Sequence, residues 1–87
     1  MNFEYDQQKS ANNKNKHGID FEDAKLIWQD DHISIVPVAS ETEPRFAAIG
    51  HIYDKIWTVI FTLRGEKIRI ISARRAREKE VEHYENY

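Results

Sequence analysis

Three features of the sequence predict a single α+β domain. Two capped, mostly polar segments near the N-terminus have helical spacing, residues 32–73 hold four strand-like segments with short connections, and the last segment is again helical. A chain of 87 residues is long enough for one domain, which we expect to span 1–87. The prediction is therefore N-terminal helices packed on a four- to five-stranded, mostly antiparallel sheet, followed by a C-terminal helix.

Composition excludes several classes of protein. The chain has no cysteine, so it has neither disulfides nor thiolate metal ligands. It contains no apolar run near the roughly 20 residues of a membrane span and no pattern typical of a signal peptide. These features favour a cytoplasmic protein that does not bind membranes. The net charge of −2 is unusual for a general nucleic-acid-binding protein, which is normally basic.

The first helix is predicted between an N-cap at Asp6 and a C-terminal Gly18, after a short strand at residues 3–5. Ala11 is the only apolar residue of the segment 7–17, so this helix has little reason to pack by burial. Four of its polar residues share one face: Lys9, Asn13, Lys16 and His17. That face is either solvated surface or a surface that contacts phosphates or bases.

A second helix is predicted from an N-cap at Asp20 to the pair at residues 30–31, with acidic residues in its first turn. Its apolar residues recur at helical spacing and are expected in the core: Phe21, Ala24, Ile27 and Trp28. Four strands follow at residues 32–38, 45–52, 56–63 and 67–73. Pro37 places the first of these at an edge, and the apolar third strand is expected to be central.

Cations concentrate near the end of the chain. Residues 67–79 contain six Lys/Arg and one acid, a local charge of +5. If Ser72 is the N-cap of a last helix over residues 74–85, three arginines crowd its positive end, where each cation costs on the order of 0.3–1 kcal/mol. A bound anion would explain this arrangement. The alternative is that the arginines pair with the many nearby glutamates.

These cations suit the chemistry of phosphodiesters. The sequence has no glycine-rich phosphate loop, no nucleophile elbow and no metal-ligand spacing among its scattered histidines, so no metal or cofactor is predicted. Cleavage of RNA without metal needs a base for the 2′-hydroxyl, a cation for the phosphorane and an acid for the leaving oxygen. His17 can transfer protons near neutral pH. The candidate groups are Lys16, His17, Arg45, Arg64, Arg69, Arg74, Arg75, Arg77 and Tyr84.

An ordered set of motifs resembles the BrnT family of bacterial toxins. The opening Tyr5-Asp6, Lys9, Asn13 and Lys16-His17-Gly18 resembles the start of that family. Later blocks also resemble it: Glu43-x-Arg45, Gly50, Thr62-x-Arg64, Arg69-Ile70-Ile71-Ser72-Ala73-Arg74-Arg75-Ala76, Glu80 and Tyr84.

The resemblance implies a RelE-like fold, a small ribonuclease and a BrnA-type antitoxin with a ribbon–helix–helix domain. It implies that operator DNA is bound only through that antitoxin. It points to an active surface formed by Lys16, His17, Arg64, Arg74 and Tyr84. Expected RNA contacts are Lys9, Asn13, Arg45, Arg69, Arg75 and Arg77.

We further expect the cations of the first helix to face the same cleft as Arg64 and Arg74. Two alternatives stay open at this point. One is a non-catalytic, ParE-like poison of DNA gyrase, and the other is a degenerate module that only binds an antitoxin. Cleavage of RNA by the pure protein separates the ribonuclease from both.

Overall fold

A computed structural model describes residues 1–86 and has the predicted α+β architecture. Its strands are β1 (Asn2–Glu4), β2 (Ser34–Val38), β3 (Arg45–Ile52), β4 (Lys55–Arg64) and β5 (Lys67–Arg75). Its α-helices are α1 (Gln7–His17), α2 (Phe21–Ala24) and α3 (Glu78–Glu85), and a 3₁₀ helix at Lys25–Gln29 continues α2.

The five strands form one sheet in the order β1-β5-β4-β3-β2. The strand β4 is central and the Pro37-containing β2 is at an edge, as predicted. The three hairpin pairings are antiparallel, whereas β1 joins the opposite edge parallel to β5. The sheet is therefore mixed but mostly antiparallel.

One face of the sheet, here called the core face, is covered by α2 and the 3₁₀ helix. Phe21, Ala24 and Ile27 from these helices are at most 1% exposed, which confirms their predicted place in the core, and Trp28 packs against it partly buried. The strands contribute alternate residues to the same cluster: Ala48, Ile52, Trp57, Val59, Phe61, Ile68, Ile70 and Ala73. The opposite face, here called the open face, is covered at one end by α3.

Polar side chains, not apolar burial, attach α1 to the domain. The predicted caps are present: the Asp6 carboxylate accepts from the Lys9 amide at 2.9 Å, and Gly18 has a φ of 96°. The Ser10 hydroxyl is buried and accepts from the Phe21 amide at 2.9 Å. A helix with almost no apolar surface is thus held by capping and hydrogen bonding.

The buried amide of Asn13 replaces a missing strand. The strand β1 pairs with β5 only as far as Arg69, so the backbone of Ala73 has no strand on that side. Asn13 Oδ1 accepts from the Ala73 amide at 3.1 Å, and its Nδ2 donates to the carbonyls of Ala73 at 2.9 Å and Ile19 at 2.8 Å. The side chain thereby satisfies backbone groups that burial would otherwise leave unpaired.

The predicted start of the last helix was wrong. Ser72 is a strand residue opposite Ile60 and does not cap a helix, because β5 continues to Arg75 and α3 begins only at Glu78. Between the pairs Phe61–Ile70 and Ile60–Ser72 the strand contains one extra residue, Ile71, which makes a β-bulge. The bulge breaks the alternation of apolar and polar residues, and this break resembles the end of a strand in the sequence.

Candidate active site

The bulge determines where Arg74 points. Without the extra residue, Arg74 would share the core face with Ile70 and Ile68, two and three alternations earlier in β5. With it, Ala73 lies on the core face opposite Val59, and Arg74 lies on the open face opposite Thr58. The β-bulge, which the sequence prediction did not include, therefore directs the Arg74 guanidinium to the face that α3 covers.

Glu80 of α3 binds Arg74 through a fork of two hydrogen bonds. The Arg74 nitrogens Nη1 and Nη2 donate to the two Glu80 oxygens at 2.7 and 2.9 Å. The Thr58 hydroxyl and the Arg77 amide also donate to Glu80 Oε1, at 3.0 and 2.8 Å. Partial burial alone would raise the pKa of the Glu80 carboxyl, but the hydrogen bonds from Arg74, the Arg77 amide and Thr58 outweigh it and lower that pKa to about 2.

Tyr84, one turn further along α3, joins two other elements. Its hydroxyl donates to Asp30 Oδ2 at 2.5 Å and lies 3.0 Å from His51 Nδ1. Tyr84 is 8% exposed, whereas half of the His51 side chain is accessible to solvent. A buried phenol therefore connects a carboxylate at the end of the 3₁₀ helix with an accessible imidazole on β3.

The hydrogen bonds determine which nitrogen of His51 is free. The single hydroxyl proton of Tyr84 is donated to Asp30, so the contact with His51 requires Nδ1–H to donate to the Tyr84 oxygen. The lone pair of the neutral imidazole then lies on Nε2. Burial and the Asp30 carboxylate raise the pKa of Tyr84 to about 12, so the phenol keeps its proton at neutral pH.

Asp30 is held in place by the backbone around it. Its oxygens accept from the amides of His32 and His51, each at 2.8 Å, in addition to Tyr84. Burial alone would raise the pKa of the Asp30 carboxyl, but these hydrogen bonds lower it below its usual value. Gly50 allows the close approach, because a Cβ there would meet Asp30 Oδ2 at 3.0 Å and Ile27 Cγ1 at 3.1 Å.

The open face also carries three of the other predicted arginines. Register places Arg45 on β3, Arg64 on β4 and Arg69 on β5 on the same face as Arg74. Arg64 pairs with Glu43 at 3.4 Å and Arg69 with Glu4 at 2.8 Å. The sequence alternative that arginines pair with glutamates therefore holds for Arg64, Arg69 and Arg74.

Arg45 and Arg64 differ from Arg74 in their contacts or in their position on the open face. The Nε of Arg45 is buried and has no hydrogen-bond acceptor within residues 1–86. Arg64 is the last residue of β4 and lies ~20 Å along the strand from Thr58, the partner of Arg74. The expectation that the cations of the first helix face the same cleft as Arg64 and Arg74 stays a prediction, but Arg64 and Arg74 themselves lie far apart along the open face. They mark two ends of one face.

The residues predicted on α1 separate into two groups. Asn13 is buried and serves the fold, whereas Lys9 and Lys16 are exposed and His17 is half-buried at the end of the helix. The charges of Lys9 and Arg69 both act on the Asp6 carboxylate, so the start of α1 borders the open face. Within residues 1–86, no hydrogen bond or ion pair joins Lys16 or His17 to the groups around α3.

Arg75 and Arg77 lie outside the cluster around Glu80. The Arg75 guanidinium is exposed and sits 5.8 Å from the centre of the Trp57 ring, on the core-face side. Arg77 is exposed at the N-cap of α3. Of the predicted active surface, the contacts of α3 thus bring together Arg74 and Tyr84.

Sequence reasoning missed four residues of this cluster: Asp30, His51, Thr58 and Glu80. His51 appeared only as one of several scattered histidines, because Asp30, His51 and Tyr84 come from elements that are 21 and 33 residues apart. The sequence does contain one local signal. Glu80 and Tyr84 are four residues apart on a helix and so project from one face.

The sequence matches a described protein family over most of its length. Residues 5–80 match a family described as the ribonuclease toxin BrnT of type II toxin–antitoxin systems. The chain belongs to this family. BrnT proteins are ribonuclease toxins, and their membership of type II systems implies an antitoxin partner and an RNA substrate. No curated protein sequence matches the chain.

Two further findings concern metals and membranes. Among residues 1–86, no three His, Asp or Glu side chains are grouped so that they could hold a metal ion. None of the helices formed by these residues has the length and apolar character needed to span a membrane.

Proposed function

We propose that this BrnT protein cleaves RNA without a metal ion and that His51 takes the proton from the attacking 2′-hydroxyl. The observation that carries the proposal is the hydrogen-bonded chain from Asp30 through Tyr84 to His51 Nδ1. It leaves Nε2 of this half-exposed side chain as the proton acceptor. An imidazole that is oriented by a second group is the usual form of a general base.

The chemistry needs few groups. The 2′-oxygen attacks the neighbouring phosphorus as His51 Nε2 takes its proton, and the bond to the 5′-oxygen breaks to leave a 2′,3′-cyclic phosphate. The 5′-oxygen takes a proton from solvent. Arg74 is the open-face arginine nearest to this chain in the fold, because Glu80 and Tyr84 project from one face of α3. A phosphate that competes with Glu80 would gain a fork of hydrogen bonds from Arg74.

The test compares two histidine variants on a defined RNA. His51→Ala should slow cleavage about 10²-fold or more, the usual contribution of general base catalysis. His32→Ala is the matched control, because His32 is exposed and binds Asp30 through its backbone amide alone. Cleavage by the wild type should persist in EDTA, and a single 2′-deoxy sugar at the cut site should abolish it.

The same assay tests the residues that the resemblance places on the active surface. If His17, Lys16 or Arg64 also acts on the reacting phosphate, His17→Ala, Lys16→Ala or Arg64→Ala should each cost a similar factor. A normal rate in His51→Ala with a large loss in His17→Ala would move the base to α1 and contradict the role given to His51.

The two alternative functions predict other outcomes. Growth arrest with broken DNA and intact RNA would identify a gyrase poison. The internal pairing of Arg64, Arg69 and Arg74 with glutamates is the observation that favours a degenerate antitoxin-binding module. That module would neither arrest growth nor cleave RNA.

We also propose that the antitoxin is of the BrnA type, with a ribbon–helix–helix domain, and that it covers the open face. Its acidic groups would pair with the arginines there, and the complex would bind operator DNA only through the antitoxin. Addition of the antitoxin to the pure toxin should suppress both RNA cleavage and RNA binding. Full activity in a stable complex would contradict this proposal.

A further inference from the structure

We propose that the cavity beside His51 binds a nucleobase of the RNA next to the cleaved phosphodiester, with Tyr53 as its stacking surface. The inference rests on the proposed function, because it assigns a substrate contact to the same site. It adds a determinant of sequence preference that the catalytic chain itself does not contain.

The cavity lies directly against the catalytic chain. It has a volume of about 380 Å³ and is lined by Leu26, Gln29, Asp30, His51, Ile52 and Tyr53. Apolar side chains form one part of the wall, and the exposed Gln29 amide offers both a donor and an acceptor. Flat apolar surface with a few polar groups is what a nucleobase requires. A larger cavity of about 660 Å³ adjoins it and shares Leu26 and Gln29, but neither Asp30 nor His51 lines that cavity.

Tyr53 is an unusual residue for its position. It is the first residue of the two-residue turn between β3 and β4, where the pair Ile52–Lys55 closes the hairpin. Its φ of 56° lies in the left-handed region, and it is the only non-glycine residue within 1–86 with a positive φ. Glycine or asparagine is favoured at such positions, because a Cβ there is strained. The chain thus has a strained aromatic residue at a position where glycine or asparagine would form the turn without strain.

The ring is also placed for contact. Tyr53 is 73% exposed, although aromatic side chains are normally more buried, and its hydroxyl donates to Asp23 Oδ1 at 3.2 Å. That hydrogen bond fixes one end of the side chain against α2 while the ring remains open to solvent. Backbone strain combined with an exposed, oriented ring beside a candidate catalytic histidine indicates a ligand contact. Stacking of a base on an aromatic ring is a general mode of single-strand recognition.

The experiment separates stacking from stability. Tyr53→Gly removes the ring and relieves the strain, so the melting temperature should stay the same or rise. Cleavage of short RNAs that differ only in the base beside the cut should lose its base preference, with a rise of about tenfold or more in KM. Tyr53→Phe keeps the ring and should keep the preference. Glu66→Ala, in the two-residue turn at the far end of β4, is the control.

Binding gives a second measurement that does not depend on cleavage. A short oligonucleotide with one 2′-deoxy sugar at the cut site should shift the NMR signals of Leu26, Gln29 and Tyr53, and these shifts should vanish in Tyr53→Gly. Unshifted signals would overturn the base site, whether or not the RNA is cut. A Tyr53→Gly protein with unchanged base preference, or one that loses stability and activity together, would also overturn it. Normal cleavage by His51→Ala, with the Tyr53 effects intact, would instead contradict the proposed base and leave the pocket standing.

Discussion

Hydrogen bonds from β4, β5 and the start of α3 stabilise the charge of Glu80. The free energy of unfolding should therefore depend on pH in a specific way. The pKa of the Glu80 carboxyl is about 2 in the folded chain and 4.5 when unperturbed. That difference is worth roughly 3 kcal/mol, and about 2 kcal/mol after screening at a side chain that is one-fifth exposed. Since the folded pKa is the lower one, this stability is complete above about pH 4.5 and is lost as the pH falls toward 2.

We therefore predict that Glu80→Gln lowers the free energy of unfolding by about 2 kcal/mol at pH 7. Urea denaturation at several pH values should show the difference from the wild type shrinking as the pH falls from 4.5 toward 2. Glu78→Gln, at an exposed position in the same turn, is the control and should change little. A difference that stays constant down to pH 2.5 would mean that the Glu80 charge is not what Arg74 and Thr58 stabilise.

Tyr84 combines a structural and a chemical role, and its hydroxyl is the part that connects them. Tyr84→Phe keeps the buried ring but removes the donor to Asp30 and the acceptor for His51 Nδ1. We expect a stability loss of about 1–2 kcal/mol, the usual cost of an unpaired buried polar group. RNA cleavage should fall more than stability explains, because His51 is no longer held in one tautomer.

The control for Tyr84→Phe is Tyr5→Phe. The Tyr5 hydroxyl also donates to a carboxylate, that of Glu22, which is not part of the chain of hydrogen bonds around His51. Cleavage rates should be measured for both variants at a temperature at which each is fully folded. Equal rates in Tyr84→Phe and the wild type would remove Tyr84 from the catalytic arrangement and leave it only a packing role.

At the scale of elements, α1 shows a helix held by a few polar anchors. Asn13→Ala would leave the amide and carbonyl of Ala73 and the carbonyl of Ile19 without their partner. We predict a loss of about 2–3 kcal/mol and faster hydrogen exchange at the Ala73 amide. Asn12→Ala, on the exposed side of the same helix, should cost well under 1 kcal/mol. Equal losses in the two variants would contradict the role of Asn13 as a strand substitute.

Elements with local signals could be predicted from the sequence. Asp6, Gly18 and Asp20 are capping residues, and a cap is formed by hydrogen bonds to residues a few positions away in the sequence. The first helix therefore begins and ends, and the second begins, where these three residues predicted. The apolar character of residues 56–63 on both faces likewise predicted the central strand. The end of β5 could not be predicted in this way, because the bulge at Ile71 depends on pairing with Phe61 and Ile60, which lie about ten residues earlier in the chain.

The candidate site was predicted only in part for the same reason. Arg74 and Tyr84 follow from a resemblance of motifs, but the partners that orient them do not follow from local pattern. Asp30 was interpreted only as the end of a helix, and His51 only as one of several scattered histidines. The strand β2 pairs with β3 only as far as Ile49, so the His51 amide at this edge of the sheet is free to donate to Asp30. This hydrogen bond holds Asp30 and His51 together beside Tyr84. Such a relation becomes visible only when the sheet order is known.

Viewed as a whole, the molecule has a net charge of −2 but concentrates guanidinium groups on one face of its sheet. Arg45, Arg64, Arg69 and Arg74 lie on the open face, and carboxylates neutralise three of them. Long-range attraction of RNA should therefore be weak, and binding should depend on phosphates that replace these carboxylates at close range. The exposed Arg64–Glu43 pair contributes little to stability, so exchange there costs little, whereas a phosphate that binds Arg74 must also offset the stability lost when Glu80 is displaced.

This arrangement predicts a specific salt dependence of RNA binding. For single-stranded RNA, each phosphate contact contributes about 0.7 to the slope of log K against log salt concentration. Arg45→Gln and Arg64→Gln should each reduce the slope by about that amount, and the double variant by about twice as much, with the fold unchanged. Lys55→Gln removes an exposed cation that points to the core-face side, so it should leave the slope unaltered. Binding of a 2′-deoxy oligonucleotide, measured by fluorescence anisotropy over a series of salt concentrations, gives these slopes without interference from cleavage. If Lys55→Gln lowers the slope as much as Arg45→Gln does, RNA is attracted by cations in general and the open face is not its binding surface.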